Sequence, residues 1–259
     1  LDLTQAEAVI DVINSKTNSS FDVAMEQLRG KFSKEINEIR KEITDVLVDI
    51  AVNIDYPDED IEFILYDKLE KELRQIKEKI DYLIGSSDTG RILREGLNVA
   101  IVGRPNVGKS SLMNAILRES RAIVTEIPGT TRDTIEELIN VRGIPVNLID
   151  TAGIRTTDDV IEQIGIDKSK KSLESADLVI FMIDLTSEIS DEDYDILSQV
   201  DRSKLLILFN KADQTARIKN EDMISFADGA RYMLTSVNDS KSVDEVENAI
   251  FEKAGGNLL

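Results

Sequence analysis

Apolar residues recur every three or four positions in the first third of the chain, which is the period of an amphipathic α-helix. One such series predicts a helix through 32–50 and a second predicts a helix through 61–83. A shorter helix is expected over 4–14, and Pro-Asp-Glu-Asp at 57–60 is typical of a first helical turn. Residues 85–90, made of glycine and small polar residues, are predicted to form a linker. The pattern therefore indicates an all-α helical segment over 1–95.

Beyond residue 95, short apolar runs alternate with helical patterns. The predicted strands are 97–102, 141–149, 178–184, 205–210 and 232–236, and the predicted helices lie near 110–117, 165–172, 191–199 and 242–253. Such alternation indicates a mostly parallel sheet with helices on both faces. The expected fold is an α/β domain over 96–259, with its ligand site at the carboxyl ends of the strands.

Composition narrows the chemistry. The chain has 259 residues with no Cys and no His, which excludes zinc sites of the usual ligand set, cysteine nucleophiles and Ser-His-Asp triads. The net charge of −19 is spread along both segments and argues against charge-driven nucleic-acid binding by this chain alone. The longest apolar run, 178–183, is far shorter than the roughly 20 residues of a membrane helix. We therefore expect no membrane contact and a cytoplasmic location.

Residues 103–110 read Gly-Arg-Pro-Asn-Val-Gly-Lys-Ser and match the phosphate-binding pattern G-x-x-x-x-G-K-[ST], or P-loop, between a strand and a helix. The glycines allow backbone N–H groups to face phosphate oxygens, and the helix N-terminus adds positive potential. Lys109 is expected to reach the β- and γ-phosphates, and the Ser110 hydroxyl is expected to bind Mg²⁺. The predicted phosphate-binding residues are Asn106, Val107, Gly108, Lys109, Ser110 and Ser111.

Two further segments are predicted to contact the phosphate end. Asp150 begins Asp-Thr-Ala-Gly and is placed to hold Mg²⁺ through water, while the N–H of Gly153 is placed to sense the γ-phosphate. Thr131, which follows Thr130, lies between these motifs and can complete the Mg²⁺ shell, although an isolated threonine there is equally compatible with an ordinary surface loop. Loss of the γ-phosphate would remove a ligand from both loops, as in the order–disorder switch of GTPases.

Asn-Lys-Ala-Asp at 210–213 predicts that the base is guanine. The Asp213 carboxylate can accept hydrogen bonds from N1–H and the 2-amine of guanine, a donor pair that adenine lacks. Asn210 can either donate toward the base or tie loops together, and Lys211 can lie along the base face. Ser236 and Val237 follow another predicted strand and are expected to supply a backbone N–H to O6. The predicted ligands are thus GTP and GDP.

The residue after Asp-Thr-Ala-Gly has a consequence for hydrolysis. Many GTPases have at this position a Gln that orients the attacking water, but here it is Ile154, which cannot do so. Another group must then assist. The candidates are the acidic residues Asp158, Asp159 and Glu162, and a cation near the phosphates, for which Asn106 is a plausible oxygen ligand.

With these residues in place, the chain resembles the MnmE (TrmE) family of bacterial tRNA-modification GTPases over nearly its whole length. The segments that carry the resemblance are 3–8, 55–63, 93–96, 103–110, 123–125, 129–133 and 150–165. The nucleotide motifs are shared with the Era and Der GTPases, whereas Pro-Asp-Glu-Asp ahead of them is specific to MnmE. The resemblance implies a GTPase (G) domain set into a helical domain.

The resemblance also implies how GTP is hydrolysed. Two G domains meet face to face in a transient homodimer, and K⁺ stimulates the reaction from the place that an arginine finger occupies elsewhere. Glu162 is similar to the carboxylate that acts on the attacking water through a bridging water, alongside Lys109 and Thr131. The K⁺ ligands implied are Asn106 and, in the loop ahead of Thr131, Thr125, Ile127 and Thr130.

In the family, this activity serves the modification of C5 of the wobble uridine of certain tRNAs, together with the flavoprotein MnmG. The resemblance implies that this chain corresponds to the first helices and the G domain, without the family's folate-binding N-terminal domain and its last helices. Such a piece is expected to keep nucleotide chemistry, lose tRNA modification and expose apolar stripes that promote association. A non-catalytic GTP-sensing scaffold and a ribosome-assembly GTPase of the Era or Der type are the alternatives.

Overall fold

The computed structural model describes residues 2–55, 66–119, 136–150 and 173–255. Within it the chain forms two compact units, Leu1–Arg94 and Glu95–Asn257, the first helical and the second built on a β-sheet. The predicted helical turn at 57–60 and the predicted helix at 165–172 lie outside the described residues. None of the helices in the described ranges is both long and apolar enough to cross a membrane.

In its described residues the helical unit contains four helices: α1 (Leu3–Asn14), α2 (Asn18–Leu28), α3 (Lys31–Asp55) and α4 (Tyr66–Glu95). The first two begin with side-chain caps. In α1, Asp2 Oδ1 accepts from the Gln5 N–H at 2.8 Å and Gln5 Oε1 accepts from the Asp2 N–H at 3.1 Å. These bonds pair backbone donors that the first turn of a helix cannot satisfy internally. The apolar pattern did not predict the helix α2. Thr17, the residue before it, caps this helix with a similar pair of bonds to Ser20.

The predicted linker at 85–90 is wrong, because these residues lie inside α4. Glycine and serine are frequent in linkers, but their side chains do not prevent a helix when the backbone bonds are kept. Ser86 Oγ donates to the Leu83 carbonyl at 3.0 Å, and Ser87 Oγ donates to the Ile84 carbonyl at 2.7 Å. Both hydroxyls are thus satisfied by the helix itself.

The helical unit buries few of its apolar side chains. Its small core brings Ile39 and Val46 of α3 together with Ile76 of α4. Many other large apolar side chains face solvent, and five that are more than half exposed are Leu3, Ile10, Ile13, Leu47 and Ile54. Exposed apolar side chains at this density favour association with another surface.

The second unit is built on a six-stranded sheet. Its strands are β1 (Leu97–Val102), β2 (Glu136–Val141), β3 (Ile144–Asp150), β4 (Leu178–Asp184), β5 (Leu205–Asn210) and β6 (Arg231–Leu234), in the order β2-β3-β1-β4-β5-β6. All neighbours are parallel except β2 and β3. The helices are α5 (Lys109–Glu119), α6 (Asp191–Ser198), α7 (Asn220–Ala227) and α8 (Ser240–Lys253), and a short 3-10 helix spans Arg202–Lys204.

The prediction of a mostly parallel, covered sheet is confirmed. Residues Val179, Phe181 and Ile183 of β4 pack on one face against α6 and α7, while Ile180 and Met182 on the other face are also fully buried. A strand that is apolar on both faces is typical of a parallel sheet covered on both sides. The parallel strands β3, β1, β4 and β5 bring their carboxyl ends to one edge, where a site is expected.

Near residue 141 the prediction of a single strand over 141–149 is wrong. Val141 is the last residue of β2, and β3 begins only at Ile144, so the segment belongs to a hairpin. The two turn residues, Arg142 and Gly143, have φ of 52° and 93°, as a two-residue type I′ turn requires. Asn140 Oδ1 accepts from the Gly143 N–H at 2.6 Å and closes the turn.

Two smaller differences complete the comparison for this unit. The last strand ends at Leu234, two residues before the predicted end at 236, and the residues that follow form a loop at the site. The helix α7 was not predicted, although Met223, Phe226 and Ala227 on it are buried in the core. It has eight residues, which is too short for a periodic pattern to stand out.

Candidate functional site

The phosphate-binding segment 103–108 links the end of β1 to the start of α5. Gly103 has a φ of 142°, and a Cβ added there would lie 2.3 Å from the Met182 carbonyl oxygen of β4. Only glycine allows this backbone conformation and this close approach of two strands' backbones. The loop therefore leaves the sheet at a point that the neighbouring strand fixes.

Lys109, the first residue of α5, folds back over this segment. Its Nζ donates to the carbonyl oxygens of Gly103 at 2.5 Å and Arg104 at 2.7 Å. These bonds hold the start of the loop curled toward the helix N-terminus, with the ammonium group beside it. Ser110 and Ser111 are exposed on the first turn of α5, as a site for a phosphate and its metal requires.

The Asn210 side chain joins the phosphate-binding segment to the predicted base-binding loops. It is fully buried, its Nδ2 donates to the Val107 carbonyl at 2.7 Å, and its Oδ1 accepts from the Val237 N–H at 3.3 Å. A Cβ added at Gly108 would lie 2.3 Å from that Nδ2, so the glycine makes room for the amide. Of the two roles predicted for Asn210, the structure shows the one that ties loops together. The Val237 N–H, predicted to face O6 of the base, here donates to Asn210.

Asp213, the residue predicted to bind guanine, is held by a hydroxyl from the neighbouring loop. The Oγ of Ser236, itself buried, donates to Asp213 Oδ1 at 2.7 Å. This bond and a backbone N–H hold the pKa of Asp213 below its usual range, so the carboxylate is ionised and can accept from a base. Asp213 is exposed in this structure. Its burial would have to come from the bound base itself.

Lys211 adopts a left-handed backbone with a φ of 65°. Its Nζ contacts Asp184 Oδ2 at 2.5 Å, and the other Asp184 oxygen accepts from the N–H and hydroxyl of Thr186 at 2.8 and 2.6 Å. Burial alone would raise the pKa of Asp184, but the bonds from Lys211 and Thr186 outweigh it and lower that pKa. The pair is therefore charged on both sides.

The sequence did not point to Asp184 as a site residue, nor to the ion pair of Arg104 with Asp193. One signal could have found Asp184: it closes β4 just as Asp150 closes β3 and Asn210 closes β5. Polar residues at the carboxyl ends of adjacent parallel strands meet at one edge. No sequence motif marks Asp193, because its partner Arg104 lies 89 positions away in sequence.

The predicted Mg²⁺ ligands are described in part. Ser110 lies in the first turn of α5, and Asp150 ends β3 opposite Ile101 of β1, two residues before the phosphate-binding segment begins. Serine and aspartate carry the hard oxygen donors that Mg²⁺ prefers, so the residue types at these two backbone positions fit the ion. The other predicted site residues lie outside the described ranges; they are Thr125, Ile127, Thr130, Thr131, Gly153, Ile154, Asp158, Asp159 and Glu162.

Comparison with known proteins gives a family. A model described as the MnmE helical domain matches residues 3–257. The tRNA modification GTPase MnmE of Alkaliphilus metalliredigens is 50% identical over 252 residues, which are 97% of this chain and 55% of that protein. The tRNA modification GTPase MnmE of Clostridioides difficile is 46% identical over 96% of this chain and 54% of its own length. This chain thus spans about half the length of these relatives.

Among solved structures, the G domain of the T. maritima FeoB iron transporter is similar. It is 27% identical, covers 61% of this chain and 98% of its own, and superposes with a TM-score of 0.45.

Proposed function

Since this chain belongs to the MnmE family of tRNA-modification GTPases, we propose that it binds GTP together with Mg²⁺ and hydrolyses it. In the full-length protein this hydrolysis would serve the C5 modification of wobble uridine in tRNA, with the flavoprotein MnmG as partner, in the cytoplasm. The chain spans about half the length of these relatives, and nucleotide binding and hydrolysis are the part of their function that its described residues support.

One observation carries the proposal. The phosphate-binding segment and the base-binding loops are adjacent at one edge of the sheet and are joined by the buried Asn210 side chain. A single nucleotide would contact both, because its ribose separates the base, which would lie at one of them, from the phosphates, which would lie at the other. The ionised Asp213 then accepts from guanine while the backbone near Gly108 receives the phosphates.

The residues of the phosphate end have separate roles in this proposal. Lys109 would exchange its carbonyl partners for β- and γ-phosphate oxygens when GTP enters, since an ammonium prefers an anion to a neutral carbonyl. Ser110, Thr131 and Asp150 would hold Mg²⁺, which when bound neutralises charge on the phosphates. Thr130 and the N–H of Gly153 would contact the γ-phosphate end.

We further propose that K⁺ and a second G domain assist hydrolysis. The support comes from Ile154, which cannot orient water, and from Asn106, which is exposed with a φ of 64° in the phosphate-binding segment. Asn106 would offer its amide oxygen to K⁺, with Thr125, Ile127 and Thr130 completing the shell. A cation at this place substitutes for an arginine finger, a role worth about 10³–10⁵ in rate.

The rate of GTP hydrolysis is expected to depend on both the monovalent cation and the protein concentration. K⁺ should accelerate it over Na⁺, and in K⁺ the specific rate should rise with protein concentration because two G domains must meet. Phosphate release is measured in each salt at equal ionic strength over a range of protein concentrations. Equal specific rates in the two salts at every concentration would contradict the proposal for K⁺ and leave nucleotide binding untouched.

Glu162→Ala is expected to slow K⁺-stimulated turnover by about 10²-fold or more, because a group that orients the attacking water is lost. GDP and GTP affinities should barely change, since the carboxylate acts on water and not on the nucleotide. Single-turnover hydrolysis and fluorescent-nucleotide titration separate the two quantities. Glu245→Ala, which removes an exposed carboxylate of α8 outside the site, is the control and should leave turnover unchanged. A large loss of affinity in Glu162→Ala would instead assign a binding role.

A further inference from the structure

A segment outside the nucleotide motifs contacts both ends of the site. It comprises residues 184–193, from the end of β4 to the first turn of α6, and is called the bridging segment below. One of its ends holds a residue of the phosphate-binding segment, and the other holds the lysine of the guanine-binding motif. Each contact involves a charged pair that is largely removed from water.

At the phosphate end, Arg104 is held by three groups of the bridging segment. Its Nε donates to Asp193 Oδ1 at 2.9 Å, and its Nη2 donates to Ser187 Oγ at 3.1 Å and to the Glu188 carbonyl at 3.2 Å. The Asp193 side chain is fully buried and that of Arg104 is 20% exposed. The other Asp193 oxygen accepts from the N–H and hydroxyl of Ser190, so both carboxylate oxygens have donors.

This arrangement differs from a surface ion pair. A largely buried pair that further hydrogen bonds hold in place is confined in its geometry, whereas exposed pairs contribute little and move freely. The Arg104 carbonyl also accepts from Lys109 Nζ. The position of Arg104 therefore bears on the ammonium group that is proposed to receive the phosphates.

At the base end, Asp184 holds the Nζ of Lys211 on one oxygen and the Thr186 donors on the other. A lysine stem fixed at its tip is a flat apolar surface on which a purine can lie. The left-handed backbone of Lys211 makes this anchor more important, because such a conformation persists only when its surroundings hold it.

The two ends are joined through hydrogen bonds that residues of the bridging segment make. The Ser187 hydroxyl, which accepts from Arg104, itself donates to the Asp184 carbonyl at 3.2 Å. Leu185, which follows Asp184 in the chain, is buried and donates its N–H to the Asn210 carbonyl at 3.0 Å. A displacement at either end thus has a direct path to the other.

We propose that the bridging segment 184–193 fixes the phosphate-binding segment and the guanine-binding lysine relative to each other, with Arg104 and Asp184 as positioning residues. Neither side chain needs to touch the nucleotide. The inference rests on the proposed function, since it assigns these residues to a guanine-nucleotide site. If the two ends are coupled in this way, a substitution at one end weakens nucleotide recognition at the other, whereas a purely local role would leave the other end unchanged.

Binding of three ligands, GDP, GMP and IDP, distinguishes an effect at the phosphate end from an effect at the base end. GMP lacks the β-phosphate, so the ratio of GDP to GMP affinity measures the phosphate end. IDP lacks the 2-amine that Asp213 accepts from, so the ratio of GDP to IDP affinity measures the base end. Both ratios are obtained by titration with Mg²⁺, and thermal unfolding and far-UV circular dichroism show that each variant is folded.

Arg104→Gln is expected to lower the GDP-to-GMP ratio about 10-fold and also the GDP-to-IDP ratio at least about 3-fold, although Arg104 lies on the phosphate side. Asp184→Asn should do the reverse, with about a 10-fold lower GDP-to-IDP ratio and at least about a 3-fold lower GDP-to-GMP ratio. Arg104→Lys, which keeps the charge but loses the fork of donors, should be intermediate. Ser187→Ala removes the link without leaving a buried charge, and should change both ratios in the same direction by a smaller factor.

The matched controls are Arg231→Gln and Glu252→Gln, which break the exposed ion pair of 2.7 Å near the start of β6 by the same chemical changes. Neither ratio should change in them. If each test variant changes only the ratio of its own end, or neither ratio, the inference is overturned while the proposed function stands. A wild-type chain that does not bind GDP would overturn both.

Discussion

Asp213→Asn is expected to weaken GDP binding by about 100-fold and to create a preference for xanthosine diphosphate. In the proposed complex the carboxylate accepts from both N1–H and the 2-amine of guanine, whereas an asparagine can accept from only one of them and turns a donor toward the other. A hydrogen bond to a charged group contributes about 1.5–3 kcal/mol, which agrees with a loss of this size. Xanthine has a carbonyl in place of the 2-amine and therefore matches the asparagine.

The measurement is competition of GDP, xanthosine diphosphate and ADP against a fluorescent guanine nucleotide. Wild type should select GDP over ADP, and the variant should reverse its order between GDP and the xanthosine nucleotide. Asp228→Asn is the matched control: Asp228 is exposed, lies at the end of α7 and has a left-handed φ that asparagine tolerates. An Asp213→Asn chain that still prefers GDP would contradict the assignment of this motif to the base.

Gly103→Ala is expected to destabilise the sheet unit by more than about 3 kcal/mol and to abolish nucleotide binding in whatever fraction folds. The backbone conformation at a φ of 142° costs about 1–3 kcal/mol for any other residue. The added Cβ would also lie 2.3 Å from the Met182 carbonyl oxygen, which belongs to a central strand and cannot move aside. Urea unfolding followed by circular dichroism gives the loss of stability.

Gly229→Ala separates the two causes. Gly229 also has a positive φ, of 85°, but a Cβ there meets no atom within 4 Å. It carries the conformational cost without the clash and should lose about 1–2 kcal/mol and keep its GDP affinity. Equal losses in the two variants would show that the approach of β1 to β4 is not what fixes the loop.

The place of the candidate site in the fold was predictable because its residues fall in fixed patterns at the ends of strands. The positions of Lys109 and Asp213 followed from local spacing and from the rule that places ligands at the carboxyl ends of parallel strands. The same apolar runs predicted β1, β4 and β5 at the bounds that the structure has. For these elements local pattern and tertiary structure agree, which is the condition for a correct prediction.

The errors arose where tertiary packing or a single turn decided the outcome. Residues 85–90 have the composition of a linker, but the turn that follows them carries the buried Ile92 and Leu93, and the helix continues through. At Arg142-Gly143 the apolar pattern barely pauses, so the sequence predicts one strand from Val141 onward where the structure has a turn between β2 and β3. The Arg104–Asp193 pair joins distant parts of the chain, and no spacing rule reaches across such a separation.

The two edge strands of the sheet have a consequence for the fate of the protein under stress. At one edge β6 offers only four residues and begins with Arg231, and at the other β2 carries Glu137 and ends in a tight turn. Short, charged edges are poor templates for adding a further strand from another molecule. These edges therefore disfavour growth of the sheet into amyloid-type fibrils, and among the described residues the exposed apolar side chains of the first unit are expected to drive association.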